Sequence, residues 1–217
     1  MILITENDFV LINFVGRVKL TGSIFDLTYR DLAEKEGFDT KKMDFSPVLV
    51  IPSANYTLPA ISKSLIGKNV GDKYTLELKA KEAFGEYNPK LVKTVGLGVF
   101  TENGIQPSVG DVVTLDGVPA YVMSVSGGRV LVNFNNILAG KDVIYEIEIV
   151  KVLNDDKEKC AAIFKHYANK EPESVNITEK DVVITMKGDL AEYLRNAIIE
   201  DINKYVNKEY KVQISSS

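Results

Sequence analysis

The run from Gly67 to Leu91, GKNVGDKYTLELKAKEAFGEYNPKL, limits the possible folds more than any other stretch of this chain. Val70-Gly71-Asp72-Lys73 reads as a turn, and from Tyr74 to Lys79 the apolar Tyr74, Leu76 and Leu78 alternate with Thr75, Glu77 and Lys79. A two-residue period is that of a strand with one face on a core and the other in water. Phe84-Gly85 then breaks the run, and Pro89 follows. An aromatic residue followed by glycine marks either a plain hairpin corner or a bend that presents a ring to a cleft.

The segments before this run also read as strands and one short helix. In Phe9 to Leu20, Val10, Ile12 and Phe14 share a face, and Gly16 allows a bulge. Thr21-Gly22-Ser23 is a hairpin turn before the return strand that starts at Ile24, and Thr28 to Lys35 has helical composition that Gly37 stops. Ser46 to Ile51 is an apolar run of strand length, while Leu58, Ile61, Leu65 and Ile66 have helical spacing that ends at Gly67. Far downstream, Val143, Tyr145, Ile147 and Ile149 alternate with polar positions, as a half-buried strand requires.

Taken in order, Phe25-Asp26, Leu58-Pro59-Ala60-Ile61, Val70-Gly71-Asp72-Lys73, Ala83-Phe84-Gly85 and Leu138-Ala139-Gly140-Lys141 resemble the motifs of the FK-binding prolyl isomerases (FKBP), and more closely their SlyD-like and long archaeal members. The resemblance spans residues 1 to about 153. It implies an α+β fold: a bent antiparallel sheet wrapped on one short helix, with a small all-β domain inserted in a loop and a C-terminal α+β domain. The expected domains are 1–86 with 136–153 for the isomerase, 87–135 for the insert and 154–217 for the C-terminal part.

Inside the insert, Asp116-Gly117 and Gly127-Gly128 are hairpin dipeptides separating Val112 to Leu115, Pro119 to Val125 and Arg129 to Phe134, all rich in β-branched and aromatic residues. Three strands cannot cover both faces of their sheet, so Tyr121, Val122, Met123 and Phe134 are expected to offer apolar surface to unfolded chains. After Asn154 the period becomes helical: Asp155-x-x-Glu158 reads as a cap, and Cys160, Ile163, Phe164 and Tyr167 form a stripe. A hairpin around Thr178 to Asp181 follows, then a second helix opened by Asp189-x-x-Glu192 and a closing strand with Tyr210, Val212 and Ile214. So small a unit buries only a modest core, and is expected to dock on a second copy, giving a homodimer, or on the first domain.

The available chemistry is narrow. The chain has one histidine, His166, and one cysteine, Cys160, which gives little support to histidine triads, multi-histidine metal sites or an internal disulfide. No glycine-rich phosphate loop is visible, and Cys160 on its helix face reads as core rather than nucleophile. No metal or cofactor is expected. In 217 residues the net charge is -4 with acids and bases interspersed, which argues against a nucleic-acid partner. Acidic residues near the N-terminus and the lack of any apolar run near the ~20 residues that span a bilayer lead to the expectation of a cytoplasmic protein without a membrane partner.

Rotating an Xaa-Pro bond needs none of these groups. The amide barrier is about 18–20 kcal/mol, and an apolar pocket that strips water from the carbonyl and fits the twisted amide lowers it. The resemblance implicates Asp26, Phe14, Phe84 and Tyr145 as catalytic residues and Val48, Val50, Leu58, Ile61 and Leu138 as substrate-binding ones. Unfolded, proline-containing proteins are the implied substrates. Two other readings stay open: a non-catalytic holdase with a decayed pocket, and an assembly adaptor acting through the C-terminal part.

Overall fold

The computed structural model describes residues 3–216, apart from the side chain of Lys42. Along the chain, β1 (Phe9–Val18) and β2 (Ile24–Leu27) lead to the short helix α1 (Arg30–Lys35), then β3 (Val48–Val50), α2 (Pro59–Leu65) and β4 (Lys73–Leu78). Next come β5 (Val92–Gly96), α3 (Leu97–Thr101), β6 (Val112–Leu115), β7 (Val118–Ser126), β8 (Arg129–Asn133) and β9 (Val143–Leu153). The chain closes with α4 (Asp156–Ala168), β10 (Ser174–Ile177), β11 (Asp181–Met186), α5 (Glu192–Asp201) and β12 (Lys211–Ser216). The fold is therefore α+β, with mainly antiparallel sheets and few helices.

Contacts divide the chain into two units. One takes in the residues up to Arg17, Gly22–Glu77 and those from Ile144 on; the other takes in Val18–Thr21 and Leu78–Val143.

The first unit is built on a sheet ordered β2-β1-β9-β4, with β3 on β1. Its registers put Val10 opposite Val50 and Ile12 opposite Val48. In β1 the alternation holds as far as Ile12; Val10 and Ile12 are buried and Phe14 is half-buried. The β1–β2 register shifts between Gly16 and Arg17, so the glycine does mark a bulge. Pro59 sits in the first turn of α2, where its missing N–H costs nothing, and Gly67 turns the chain at a φ of 77° just past the helix.

The same unit contains the C-terminal elements. Asp155 caps α4 by accepting from the Glu158 N–H at 3.0 Å, and Asn169 closes it in the left-handed conformation. The expected opening of α5 at Asp189 is corrected: the helix starts at Glu192 with no side-chain cap. Asp189 is engaged instead by the Arg195 guanidinium at 2.7 Å and by the Leu190 N–H at 2.8 Å, both on the same oxygen, so it is not placed to reach the N–H groups of the first turn. The three-stranded sheet β10-β11-β12 pairs β11 and β12 in parallel, so α5 serves as a β-α-β crossover. Phe164, Ile184, Met186 and Ile198 are fully buried in one core with Phe9, Leu49, Ile51 and Ala54 from the N-terminal half. The apolar side of α4 is thus covered within the chain, as is most of that of α5, where Tyr193 is exposed.

The second unit contains a four-stranded sheet, β5-β8-β7-β6, one strand more than the sequence suggests. The extra strand β5 and the helix α3 come from VKTVG and LGVFT, too short and too glycine-interrupted to show a clear period. One face of this sheet packs Val113, Ala120, Val122, Val130 and Val132 beneath Phe100. Its neck is fixed by Asn135, whose amide oxygen accepts from the Asn88 N–H at 2.9 Å while its amide nitrogen donates to the Asn88 carbonyl at 3.0 Å.

Candidate functional site

In the first unit, Tyr145 on β9 stands between two other rings. Its centroid is 5.7 Å from that of Phe14 on β1, tilted at 57°, and 5.7 Å from that of Phe25 on β2, edge-on at 83°. Aromatic pairs at such distances and angles are favourable because ring edges are positive and faces negative. The arrangement depends on Gly16. A Cβ at Gly16 would lie 2.7 Å from the Phe25 ring and 3.2 Å from the Tyr145 ring, so only glycine lets both close over β1. Thr28 steadies the same place: its hydroxyl accepts from the Phe14 N–H at 2.9 Å, and its N–H donates to the Phe14 carbonyl at 3.0 Å.

Asp26 lies across from Gly16 in the β1–β2 pair. The residue is exposed, yet its carboxyl titrates above the usual 3.8, because loss of hydration outweighs the hydrogen bond from the Leu27 backbone. Both facts fit a carboxylate on the rim of an apolar patch, wet on one side and backed by rings on the other. Burial, and then the nearby Asp26 charge, push the Tyr145 phenol far above its ordinary value, so its hydroxyl stays protonated at any physiological pH.

The remaining expected residues are placed as follows. Val50 and Ile61 are buried, and Val48 and Leu58 are half-buried. Leu58 immediately precedes α2 and accepts at its carbonyl from the Ile61 and Ser62 N–H groups, at 2.9 and 3.1 Å. Val48 lines a cavity of about 200 Å³ together with Leu11, Pro47, Lys165 and His166. Phe84 and Leu138 belong to the second unit, at the two ends of the insertion: Phe84 is half-buried and Leu138 buried. There Gly140 donates its N–H to the Gly85 carbonyl at 2.8 Å, tying the two ends together.

On the inserted sheet one expectation is corrected. Val122 is 2% exposed and faces the core, so it offers nothing to a client. The register between β7 and β8 slips at Met123, leaving that residue as a bulge with 44% of its surface exposed. Tyr121 lies half-buried on the uncovered face opposite Val112, and Val112 is 62% exposed. Phe134 packs partly on the core, with the Lys93 ammonium 5.8 Å from its ring. Sequence reasoning missed Val112, because strict alternation does not tell which face of a four-stranded sheet α3 will cover.

Other chemistry finds little footing. Burial pushes the Cys160 thiol up to about 12, which leaves it inert. Among the described residues no group of three or more His, Cys, Asp or Glu is placed to hold a metal ion, and no helix is long and apolar enough to cross a membrane.

Comparison with known proteins finds prolyl isomerases similar to this chain. The profile of the family described as "FKBP26, IF domain" matches residues 93–138, the inserted sheet. The short-type peptidyl-prolyl cis-trans isomerase of Methanocaldococcus jannaschii is 21% identical over 156 residues, covering 72% of this chain and 98% of that protein. The chain is thus similar to FKBP-type prolyl isomerases, SlyD proteins among them. The FKBP-type isomerase SlyD of Vibrio cholerae is 29% identical over 128 residues, 57% of this chain and 63% of that protein. The FKBP-type 16 kDa isomerase of Escherichia coli K12 is 31% identical over 97 residues, 42% of this chain and 64% of that protein. The chain therefore spans somewhat less than two thirds of the SlyD and 16 kDa relatives, and nearly all of the short archaeal one.

Proposed function

We propose that the chain is a peptidyl-prolyl cis-trans isomerase acting on unfolded, proline-containing proteins. The observation that carries the reading is the Phe14–Tyr145–Phe25 ring cluster with Asp26 on its rim, in a chain similar to proteins named for that activity. The rings supply an apolar surface on which the amide sheds water, which favours the twisted form, in which C–N resonance is lost, over the solvated planar one. Asp26 acts on the amide dipole from the rim. No bond is made or broken, so no nucleophile, acid or metal is required. Each tenfold in rate needs only about 1.4 kcal/mol of preference for the twisted amide.

Val48, Val50, Leu58 and Ile61 are proposed as the substrate-binding surface. For Phe84 and Leu138 the proposal rests on the resemblance, and Phe84→Ala tests it in the same assay. The assay is acceleration of a proline-limited refolding reaction, a step that otherwise takes tens to hundreds of seconds. Asp26→Ala and Tyr145→Ala should each slow catalysis by about tenfold or less, since no covalent step is lost. Unchanged rates in a folded Asp26→Ala protein would favour the holdase instead.

The inserted sheet is proposed as a client-holding domain of residues 87–135. Val112, Met123 and Val118 are exposed on it, and the edges of β5 and β6 can add an extended segment through backbone hydrogen bonds. Covalent tethering then raises the effective concentration of the client's prolines for the isomerase. Replacing 88–135 by a short Gly-Ser loop should spare a tetrapeptide substrate and slow catalysis on an unfolded protein. Equal effects on both substrates would remove the holding role. The compartment is proposed as cytoplasmic. A homodimer is left the edges of the β10-β11-β12 sheet, the helix stripe being covered. Sedimentation at micromolar concentration tests it, and a monomer ends that part of the reading.

A further inference from the structure

Residues 51–58 connect β3 to α2 and end on Leu58, one of the proposed substrate-binding residues. This connection is held from three sides. Ile51 and Ala54 are buried in the core shared with the C-terminal elements, and the Ser53 N–H donates to the Glu6 carbonyl at 2.9 Å. Tyr56, two residues before Leu58, donates its hydroxyl to Asp201 Oδ2 at 2.5 Å. Tyr167 on α4 donates to the same oxygen, also at 2.5 Å. The His166 ring stacks flat on Tyr56, with centroids 3.9 Å apart and planes at 9°.

Asp201 is the last residue of the regular part of α5. The helix then widens into a π-turn over Ile202–Val206, which brings Tyr205 edge-on to Tyr56 at 6.5 Å. Single π-turns are costly and recur at functional places. Two phenol donors converge on one oxygen of its carboxylate, and only one of them, Tyr56, belongs to the connection that leads to Leu58.

We infer that Asp201 and Tyr56 are positioning residues for the isomerase: through them the C-terminal elements fix the entry to α2, and with it Leu58 and Ile61. The C-terminal part is then a component of the catalytic scaffold as well as a docked module. This inference rests on the isomerase reading for its kinetic consequence, though not for its structural one.

The test compares Tyr56→Phe, Asp201→Ala and Asp201→Asn with Tyr167→Phe in the full chain. Tyr167→Phe removes a bond to the same oxygen but keeps its ring beside Tyr56 and the Tyr56–Asp201 bond itself, so it reports a merely structural role. With a proline-containing tetrapeptide, Tyr56→Phe and Asp201→Ala should lower kcat/KM by about threefold to tenfold, because small misplacements of a binding surface are felt strongly in rate. Asp201→Asn, which can still accept from the phenol, should recover most of it. Tyr167→Phe should stay within about twofold of the parent while its Tm falls as much as that of Tyr56→Phe. Amide exchange at Ile61 and Ser62, whose N–H groups bond to the Leu58 carbonyl, should speed up in Tyr56→Phe and not in Tyr167→Phe. Equal exchange and equal kcat/KM in the two Phe variants would overturn the inference while leaving the activity intact. A parent protein with no isomerase activity would instead remove the functional reading, with amide exchange still deciding whether the connection is positioned.

Discussion

Asp26 shows how far a single side chain can be read before its surroundings are known. Its place after Phe25 marks it in the sequence, but the ring that backs it, Tyr145, comes from a strand more than a hundred residues away. Its raised pKa has a sign that can be followed. As pH rises from 3.8 through the raised value, ionising the carboxyl costs folding stability, because the folded state holds the proton more tightly. If the carboxylate is what acts on the amide, kcat/KM should fall on acidification with an inflection above 3.8, and Asp26→Asn should be slower and flat over that range. A parent profile flat to about pH 4 would mean that charge at this position is not used. Gly16 is the other decisive residue. Its bulge is legible from sequence, whereas the two rings closing over it are not. Gly16→Ala should destabilise the protein by about 1–3 kcal/mol in urea unfolding, since the Phe25 ring must move.

Elements differ in legibility according to how long their pattern runs. β9 and α4 announce themselves over many residues and a cap, and both lie close to where alternation and helical spacing put them. β5 and α3 do not, because five residues give no period and Gly96 and Gly98 weaken the propensity. That gap matters on the inserted sheet, where α3 decides which face is dry. The sheet accordingly makes opposite forecasts for neighbouring residues. Val122→Ala should cost about 2 kcal/mol and leave the capture of unfolded chains per folded molecule unchanged. Met123→Ser should leave the melting curve within about 0.5 kcal/mol and weaken that capture. Suppression of aggregation by the isolated variants, read beside their thermal melts, separates the two; loss of capture in Val122→Ala alone would place the client surface elsewhere.

At the scale of the molecule, the C-terminal part is the point on which sequence offered two docking partners, and the structure shows it packed on the N-terminal half of its own chain. Its helical stripe finds Phe9, Leu49, Ile51 and Ala54, which in the N-terminal sequence look like ordinary strand and loop residues with no second core to fill. Choosing between a second copy and the same chain takes knowledge of which β3 face is left open, and period alone is silent on it. Truncation after Leu153 should therefore lower the Tm of the remainder and make it prone to associate, as Phe9, Leu49 and Ile51 become solvent-exposed. A truncated protein as stable and monodisperse as the full chain would mean that these contacts carry no folding energy. The reciprocal bonds between Asn88 and Asn135 have a different kind of consequence. A segment whose two ends are already clasped can be lifted out and spliced into another host without rethreading it, so the inserted sheet is built to be exchanged as a cassette.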